Sequence, residues 1–166
     1  LDREAEQRLL DLTERAWLLK PDPEEVGLTE GWASPARVPD ASWKPVRIGR
    51  HWESEGFPSL DQWAWYRLAV EIPEGWRDRP VYLTFHGVDD LYELYVDGRL
   101  IARRGDLATR QDTFNEVYSH ALTGVVQPGR THVIAVRVHD WYGAGGIFRP
   151  VTLGTAAAGP GPSVLK

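Results

Sequence analysis

From Trp63 onward the apolar and polar positions of the chain alternate with a period of two. In "WAWYRLAVEI" (63–72), Tyr66, Leu68, Val70 and Ile72 fall on one face, and Trp63, Trp65, Arg67 and Ala69 on the other. In "VYLTFH" (81–86), Val81, Leu83 and Phe85 alternate with Tyr82, Thr84 and His86. "YELYVDGRLIARR" (92–104) predicts a hairpin with Tyr92, Leu94 and Val96 inward and Asp97-Gly98 as a two-residue turn. "THVIAVRVHD" (131–140) places Ile134, Val136 and Val138 inward, and "FRPVTL" (148–153) predicts a last strand.

Short alternating strands separated by turns predict an all-β fold, an antiparallel β-sandwich or barrel. No alternation of strands and helices points to a Rossmann or TIM fold, and no internal repeat is evident.

Upstream of Trp63 the pattern changes. Residues 1–19, "LDREAEQRLLDLTERAWLL", have helical spacing, with Leu9, Leu12, Ala16 and Leu19 on one face. They predict an N-terminal helical segment stopped by Pro21 and Pro23. Residues 20–62 carry Pro21, Pro23, Pro35, Pro39, Pro45 and Pro58 with little periodicity. They read as loop with short strands, "KPVRIG" (44–49) being one. The tail "GTAAAGPGPSVLK" is small, rich in glycine and proline, and linker-like. The expected division is therefore an N-terminal helix or linker over 1–16, a sandwich domain over 17–154, and a flexible linker over 155–166.

Composition narrows the function. With 42% hydrophobic and 26% charged residues, the chain of 166 residues is that of a globular domain. A net charge of −5 argues against nucleic acid as a partner. No apolar run approaches the ~20 residues of a membrane span, so no membrane partner is expected. There is no cysteine, which removes disulfides, thiol catalysis and cysteine zinc sites. The chain begins at Leu1 without a signal-peptide pattern and contains no methionine, and it reads as a piece of something larger. Eight tryptophans are a high number, and suggest that some are exposed for stacking.

The stretch "DWYGAGGIFRP" (140–150) follows one predicted strand and leads into the next. Its glycines permit unusual backbone angles, and Asp140, Trp141 and Tyr142 then sit at the mouth of the sandwich, where function concentrates on loops. It reads as a lip that contacts a ligand, with Arg149 at its end; a domain-docking surface is the competing reading. Trp63 and Trp65 alternate onto one face with Arg67 and offer an outward aromatic platform for a sugar ring, unless a loop or second domain covers them. Asp89-Asp90, after "FHG", reads as a turn whose carboxylates cap backbone amides, as a contact for sugar hydroxyls, or as hard oxygen ligands for calcium. Arg110 belongs to "GDLATRQDTF" (105–114), a long loop expected at one end of the sandwich.

His51, His86, His120, His132 and His139 lack the spacing of a zinc motif and read as scattered surface histidines. Ser119-His120 is a pair of chain neighbours, not a triad. No nucleophilic elbow or phosphate loop is present. No catalytic constellation emerges, and a free-standing enzyme is not expected.

Six phrases occur in a telling order: "WLLKPDPEEVGLTEGW", "SWKPVRIGRHWESEG", "WAWYRLAVEIPEGW", "VYLTFHGVDDLYELYVDGRLIA", "PGRTHVIAVRVHDW" and "GGIFRPVTL". Together, from about Trp17 to Leu153, they resemble the sugar-binding, galactose-binding-like jelly-roll domain of glycoside hydrolase family two, the family of β-galactosidases and β-glucuronidases. Where that family often has a strand ending in Asp-Ile-Thr, this chain reads "VYSHALTG" (117–124), so contacts from that strand end do not carry over. Its Asp97-Gly98 replaces the usual Asn-Gly.

The resemblance implies a jelly-roll sandwich without the family's catalytic acids, which lie in a barrel that no part of this chain resembles. It implies a carbohydrate-binding module for poly- or oligosaccharide. The alternative it carries is a structural domain docking on the catalytic domain of the same parent chain and completing its active site. A loop-borne structural calcium is common in such modules. An extracellular or periplasmic location follows from the substrate class. The residues expected to contact ligand are Asp140, Trp141, Tyr142, Arg149, Trp63, Trp65, Asp89, Asp90 and Arg110.

Overall fold

The computed structural model of the protein describes residues 8–158. They form an antiparallel jelly-roll β-sandwich. One sheet has four strands in the order β1 (Leu9–Asp11), β10 (Val151–Gly154), β5 (Tyr82–Phe85), β8 (Tyr118–Ala121). The other has six: β3 (Lys44–Val46), β2 (Trp17–Pro21), β4 (Gln62–Glu71), β9 (Thr131–Asp140), β6 (Leu91–Val96), β7 (Arg99–Arg104). No helix among the described residues is long and apolar enough to cross a membrane.

The period-two pattern fixes the register. β4 and β9 pair along their whole length, from Gln62 opposite Asp140 to Glu71 opposite Thr131. Their inward sets, Tyr66, Leu68, Val70 and Ile134, Val136, Val138, meet Leu83, Phe85, Val151 and Leu153 of the facing sheet in the main core. A one-residue slip would turn every one of these side chains to the other face. At the β6–β7 hairpin Asp97 and Gly98 both have positive φ, 50° and 84°. The carboxylate earns its place over the more common asparagine: Oδ1 accepts the Val133 N–H at 2.8 Å while Oδ2 pairs with His132 Nδ1 at 2.6 Å.

The predicted N-terminal helix is corrected over residues 8–19; residues 1–7 lie outside the described part. Leu9–Asp11 is instead a strand paired to β10, residues 12–15 turn, and Trp17–Pro21 is a strand of the other sheet. Leu12, Trp17 and Leu19 are all buried, and the Trp17 indole donates to the Leu12 carbonyl at 2.8 Å. Pairing with two sheets outweighs the local helical spacing. The first residues of the expected C-terminal linker are also held, since Ser119 Oγ bonds both the N–H and the carbonyl of Ala158; residues 159–166 lie outside the described part.

The proline-rich segment between β2 and β4 covers the outer face of the six-stranded sheet. There Trp32, Ala33 and Trp43 pack on Trp65, Tyr95 and Ala135 as a second apolar cluster. Arg67 anchors this cover by donating to the carbonyls of Trp32 and Ser34.

Two expectations fail here. Trp65 has no exposed surface and Trp63 is only 8% exposed, so neither is an outward platform for a sugar ring. Trp63 lies under the Arg137 guanidinium, 3.7 Å from its ring, and against His139. Of the eight tryptophans only Trp141 is not buried. Nor are the histidines scattered over the surface: His120, His132 and His139 are buried, each with a structural neighbour.

Candidate functional site

The lip begins where β9 ends. Asp140 is the last residue of that strand, and the loop 141–150 carries the chain across the end of the sandwich to β10. Its second half is fixed. Gly145 accepts from the Trp52 N–H at 2.9 Å and donates to Glu53 Oε2 at 3.1 Å. Gly146 exchanges both backbone bonds with Asp89, and the Ile147 N–H donates to the Tyr66 hydroxyl at 3.1 Å. Gly146 has φ 99°, and a Cβ there would lie 2.3 Å from Tyr66 Oη. Glycine is required by this close approach as well as by the backbone angle. Only the tip is loose in packing terms, with Tyr142 77% exposed and nothing near Gly143.

Beneath the loop three carboxylates converge. One ligand oxygen from each of Asp89, Asp90 and Asp140 lies within 4.8 Å of the others. Backbone bonds hold the pair Asp89-Asp90 on three sides: Asp89 to Gly146, the Asp90 N–H to the His139 carbonyl at 2.8 Å, and the Asp90 carbonyl to Thr113. The Trp141 N–H donates to Asp90 Oδ2 at 2.8 Å, tying the turn to the lip. Of the three readings of Asp89-Asp90, the turn with a capped amide is thus present.

Asp140 is completely buried, and neither of its carboxylate oxygens receives a hydrogen bond from an N–H or hydroxyl donor among the described residues. Burial first, and then the neighbouring Asp90 carboxyl, push the Asp140 and Asp89 carboxyls well above the usual carboxylate range. Glu53 adds further negative charge. The imidazole of His51 stands beside the cluster, its Nε2 3.7 Å from Asp89 Oδ2, too long for a hydrogen bond.

Aromatic and guanidinium groups flank the acids. On one side Trp141, half-buried, faces His139 and has Arg110 5.9 Å over its ring. On the other, His51 stacks on Phe148 with centroids 4.6 Å apart, Phe148 stacks on Phe114 at 5.0 Å, and Arg149 lies over both phenyl rings. The lip therefore gathers Asp89, Asp90, Asp140, Trp141, Tyr142, Arg110 and Arg149 at one end of the sandwich. Trp63 lies beside them but covered, and Trp65 belongs to the outer-face cluster instead.

His51, Phe114 and Phe148 are members of this surface that sequence reasoning missed. Phe148 stood inside the lip phrase, next to Arg149. His51 and Phe114 come from other loops, and no local pattern marks them.

Solved structures share this fold. The β-glucuronidase of Ruminococcus gnavus aligns over 87% of this chain with a TM-score of 0.73 and 15% identity, the chain covering 28% of that enzyme. The same enzyme in complex with D-glucaro 1,5-lactone gives a TM-score of 0.74 at 16% identity. A glycosyl hydrolase family 2 member from Bacteroides cellulosilyticus DSM 14838 aligns over 89% of the chain with a TM-score of 0.70 and 22% identity, the chain covering 20% of it. No family model and no curated protein matches the sequence. At these identities the likeness establishes the fold: a β-sandwich of the kind found within glycosyl hydrolase family 2 enzymes. The chain spans only a fifth to a little over a quarter of those proteins.

Proposed function

We propose that this chain is a non-catalytic accessory domain of a multidomain glycoside hydrolase, and that its lip binds poly- or oligosaccharide. The observation that carries the reading is the composition of the lip surface. Exposed Tyr142 and half-buried Trp141 offer ring faces for the C–H face of a pyranose, with Arg110, Arg149 and the half-exposed Asp90 beside them to hydrogen-bond hydroxyls. The fold likeness to family 2 enzymes, of which the chain spans a fraction, supports the accessory role. Such a domain would work where polysaccharide is met, outside the cytoplasm.

Calorimetry of the purified chain against a panel of soluble polysaccharides and oligosaccharides tests this. A single site of this kind binds with a Kd of roughly micromolar to millimolar. Saturable heat with one sugar class, lost in Trp141→Ala, is the expected result; no heat with any sugar overturns independent binding.

A second reading has its own support. The stacked Phe114, Phe148 and His51 make an aromatic surface at the end of the sandwich, and such surfaces also mark interfaces. In that reading the lip docks on the catalytic domain of the same parent chain and completes its active site. Sugar then binds only in the longer protein.

A further inference from the structure

Two buried arginines stand on the outer face of the six-stranded sheet, and they differ in one respect. Arg137 on β9 pairs with Glu93 at 2.9 Å and with Glu25 at 3.5 Å. Arg67 on β4 is just as buried, 6% exposed against 9%, yet it forms no ion pair among the described residues. Burial lowers its pKa from the ordinary arginine value, and no neighbouring acid offsets that. Buried charges in proteins are as a rule paired.

Anchoring the cover does not use the whole guanidinium. Nη1 alone donates to the carbonyls of Trp32 and Ser34, at 2.7 and 2.9 Å. Nε and Nη2 carry the remaining N–H groups. Neither makes a hydrogen bond among the described residues, and neither is sealed from the surface. The side chain lines a groove of about 420 Å³. Along β4 the outward positions run Trp63, Trp65, Arg67, Ala69, so the small Ala69 leaves space over the sheet beyond the guanidinium. Leu18 of β2 stands directly opposite Arg67, and Val133 of β9 opposite Ala69. All three apolar side chains line the groove, together with Pro39 of the cover and the exposed Arg15. No acid is among the lining residues.

We propose that this groove is an anion site, and that its ligand is a carboxylate carried on a short aliphatic stem. The Nε–Nη2 edge of a guanidinium matches the two oxygens of a carboxylate in a bidentate pair. Leu18, Ala69 and Val133 take the stem, and Arg15 adds a second positive charge. A phosphate or sulfate brings more oxygens than this edge satisfies, and the rest would face the apolar floor unpaired. The bound carboxylate gives Arg67 the counter-charge that Glu93 gives Arg137. The site shares no residue with the lip, so it stands whether the lip meets a sugar or another domain.

The test titrates the isotope-labelled chain with isovalerate and follows the Arg67 Nε–H and the Ala69 and Val133 amides by NMR. All three signals should shift saturably. Isoamyl alcohol, the same carbon skeleton without the charge, should bind at least about tenfold more weakly, because hydrogen bonds to a charged group are the stronger ones. Inorganic phosphate should cause no saturable shift. A blocked glutamyl peptide run alongside tells a protein side chain from a free acid as the source of the carboxylate, and the proposal requires that one of the two bind. Arg67→Gln removes the charge but also the anchor of the cover, so the deciding variant is Ala69→Glu. Residue 69 is exposed and shares the face of Arg67. Its new carboxylate reaches the guanidinium from within the chain, and isovalerate binding should vanish while the spectrum stays that of a folded domain. No saturable shift with either carboxylate at about 20 mM, well above a millimolar Kd, overturns the proposal. Equal binding of the alcohol, saturable binding of phosphate, or undiminished isovalerate binding in Ala69→Glu overturns it as well.

Discussion

The indole of Trp65 donates to Asp22 Oδ2 at 3.0 Å across 43 residues of sequence. The same carboxylate accepts the N–H groups of Val26 and Gly27, so one buried side chain pins both the start of the covering segment and the tryptophan beneath it. This relationship removes Trp65 from solvent. Replacing Asp22 by Ala leaves two buried donors, the Trp65 indole N–H and the Gly27 N–H, without a partner, each costing about 1–3 kcal/mol, while the part-buried Val26 N–H can turn to water; the domain should lose roughly 2–6 kcal/mol in all. Denaturant unfolding followed by tryptophan fluorescence checks it. A red-shifted native spectrum is expected as Trp32 and Trp65 gain water, while Asp22→Asn, which keeps one acceptor, should lose less.

The sandwich was legible in the sequence because period two is a strong local signal. It fixed the inward sets of β4, β6 and β9 and the turn at Asp97-Gly98 without error. Two regions were not legible, for different physical reasons. Leu9, Leu12 and Leu19 satisfy helical spacing, and only pairing with β10 and β4, both remote in sequence, decides for strands. The cover over Trp65 has no period at all, because proline-rich loop buries its tryptophans through single anchors such as Asp22 and Arg67. Alternation correctly put Trp63 and Trp65 on the outer face but cannot tell an outer face from an exposed one. In the candidate site, glycines and aromatics made 140–150 conspicuous. The stacking partners His51 and Phe114 converge from loops about a hundred and about thirty residues before Phe148, and that convergence is a property of the topology alone.

His120 gives the fold a pH dependence. It is buried, its Nε2 is 2.7 Å from the Tyr92 hydroxyl, and burial, aided by the Arg104 charge, lowers its pKa from 6.5 to about 3. The folded state therefore keeps His120 neutral while the unfolded chain protonates it near pH 6.5. Between those values the unfolded state binds more protons, so this residue's contribution is intact above about pH 6.5 and is lost as pH falls toward about 3, at up to about 1.4 kcal/mol per pH unit. His120→Gln keeps a polar partner for Tyr92 and removes the titration. Urea unfolding at pH 7 and pH 4.5 should then show a smaller stability loss on acidification in the variant. Equal losses in the two proteins would refute the assignment.

The two glycines at φ 99° and φ 82° in the lip should respond differently to alanine. At Gly146 the new Cβ meets the Tyr66 hydroxyl, which itself holds the Ile147 N–H, and the flat face of Trp52. Backbone strain and overpacking each cost about 1–3 kcal/mol, so Gly146→Ala should destabilise by roughly 2–5 kcal/mol. At Gly143 nothing lies within 4 Å, and only the left-handed backbone penalty of about 1 kcal/mol applies. Thermal unfolding of the two variants measures the difference directly. Near-equal losses would mean that the loop shifts freely and that its second half is not fixed as described.

The lip residues divide by exposure, and that division predicts how binding and stability separate. Tyr142 is 77% exposed, so Tyr142→Ala should leave stability within about 0.5 kcal/mol of the parent. Loss of one stacked ring should weaken carbohydrate binding by about 2–12-fold, equivalent to about 0.5–1.5 kcal/mol. Trp63→Phe should do the reverse. It loses contact with Arg137 and His139 and lowers stability by about 1–3 kcal/mol, yet leaves affinity unchanged, because the ring is covered. Calorimetry and denaturant unfolding on the same two variants decide the matter. If Trp63→Phe reduces affinity while Tyr142→Ala does not, sugar is recognised on the sheet face beside β4 and the lip serves the docking role instead.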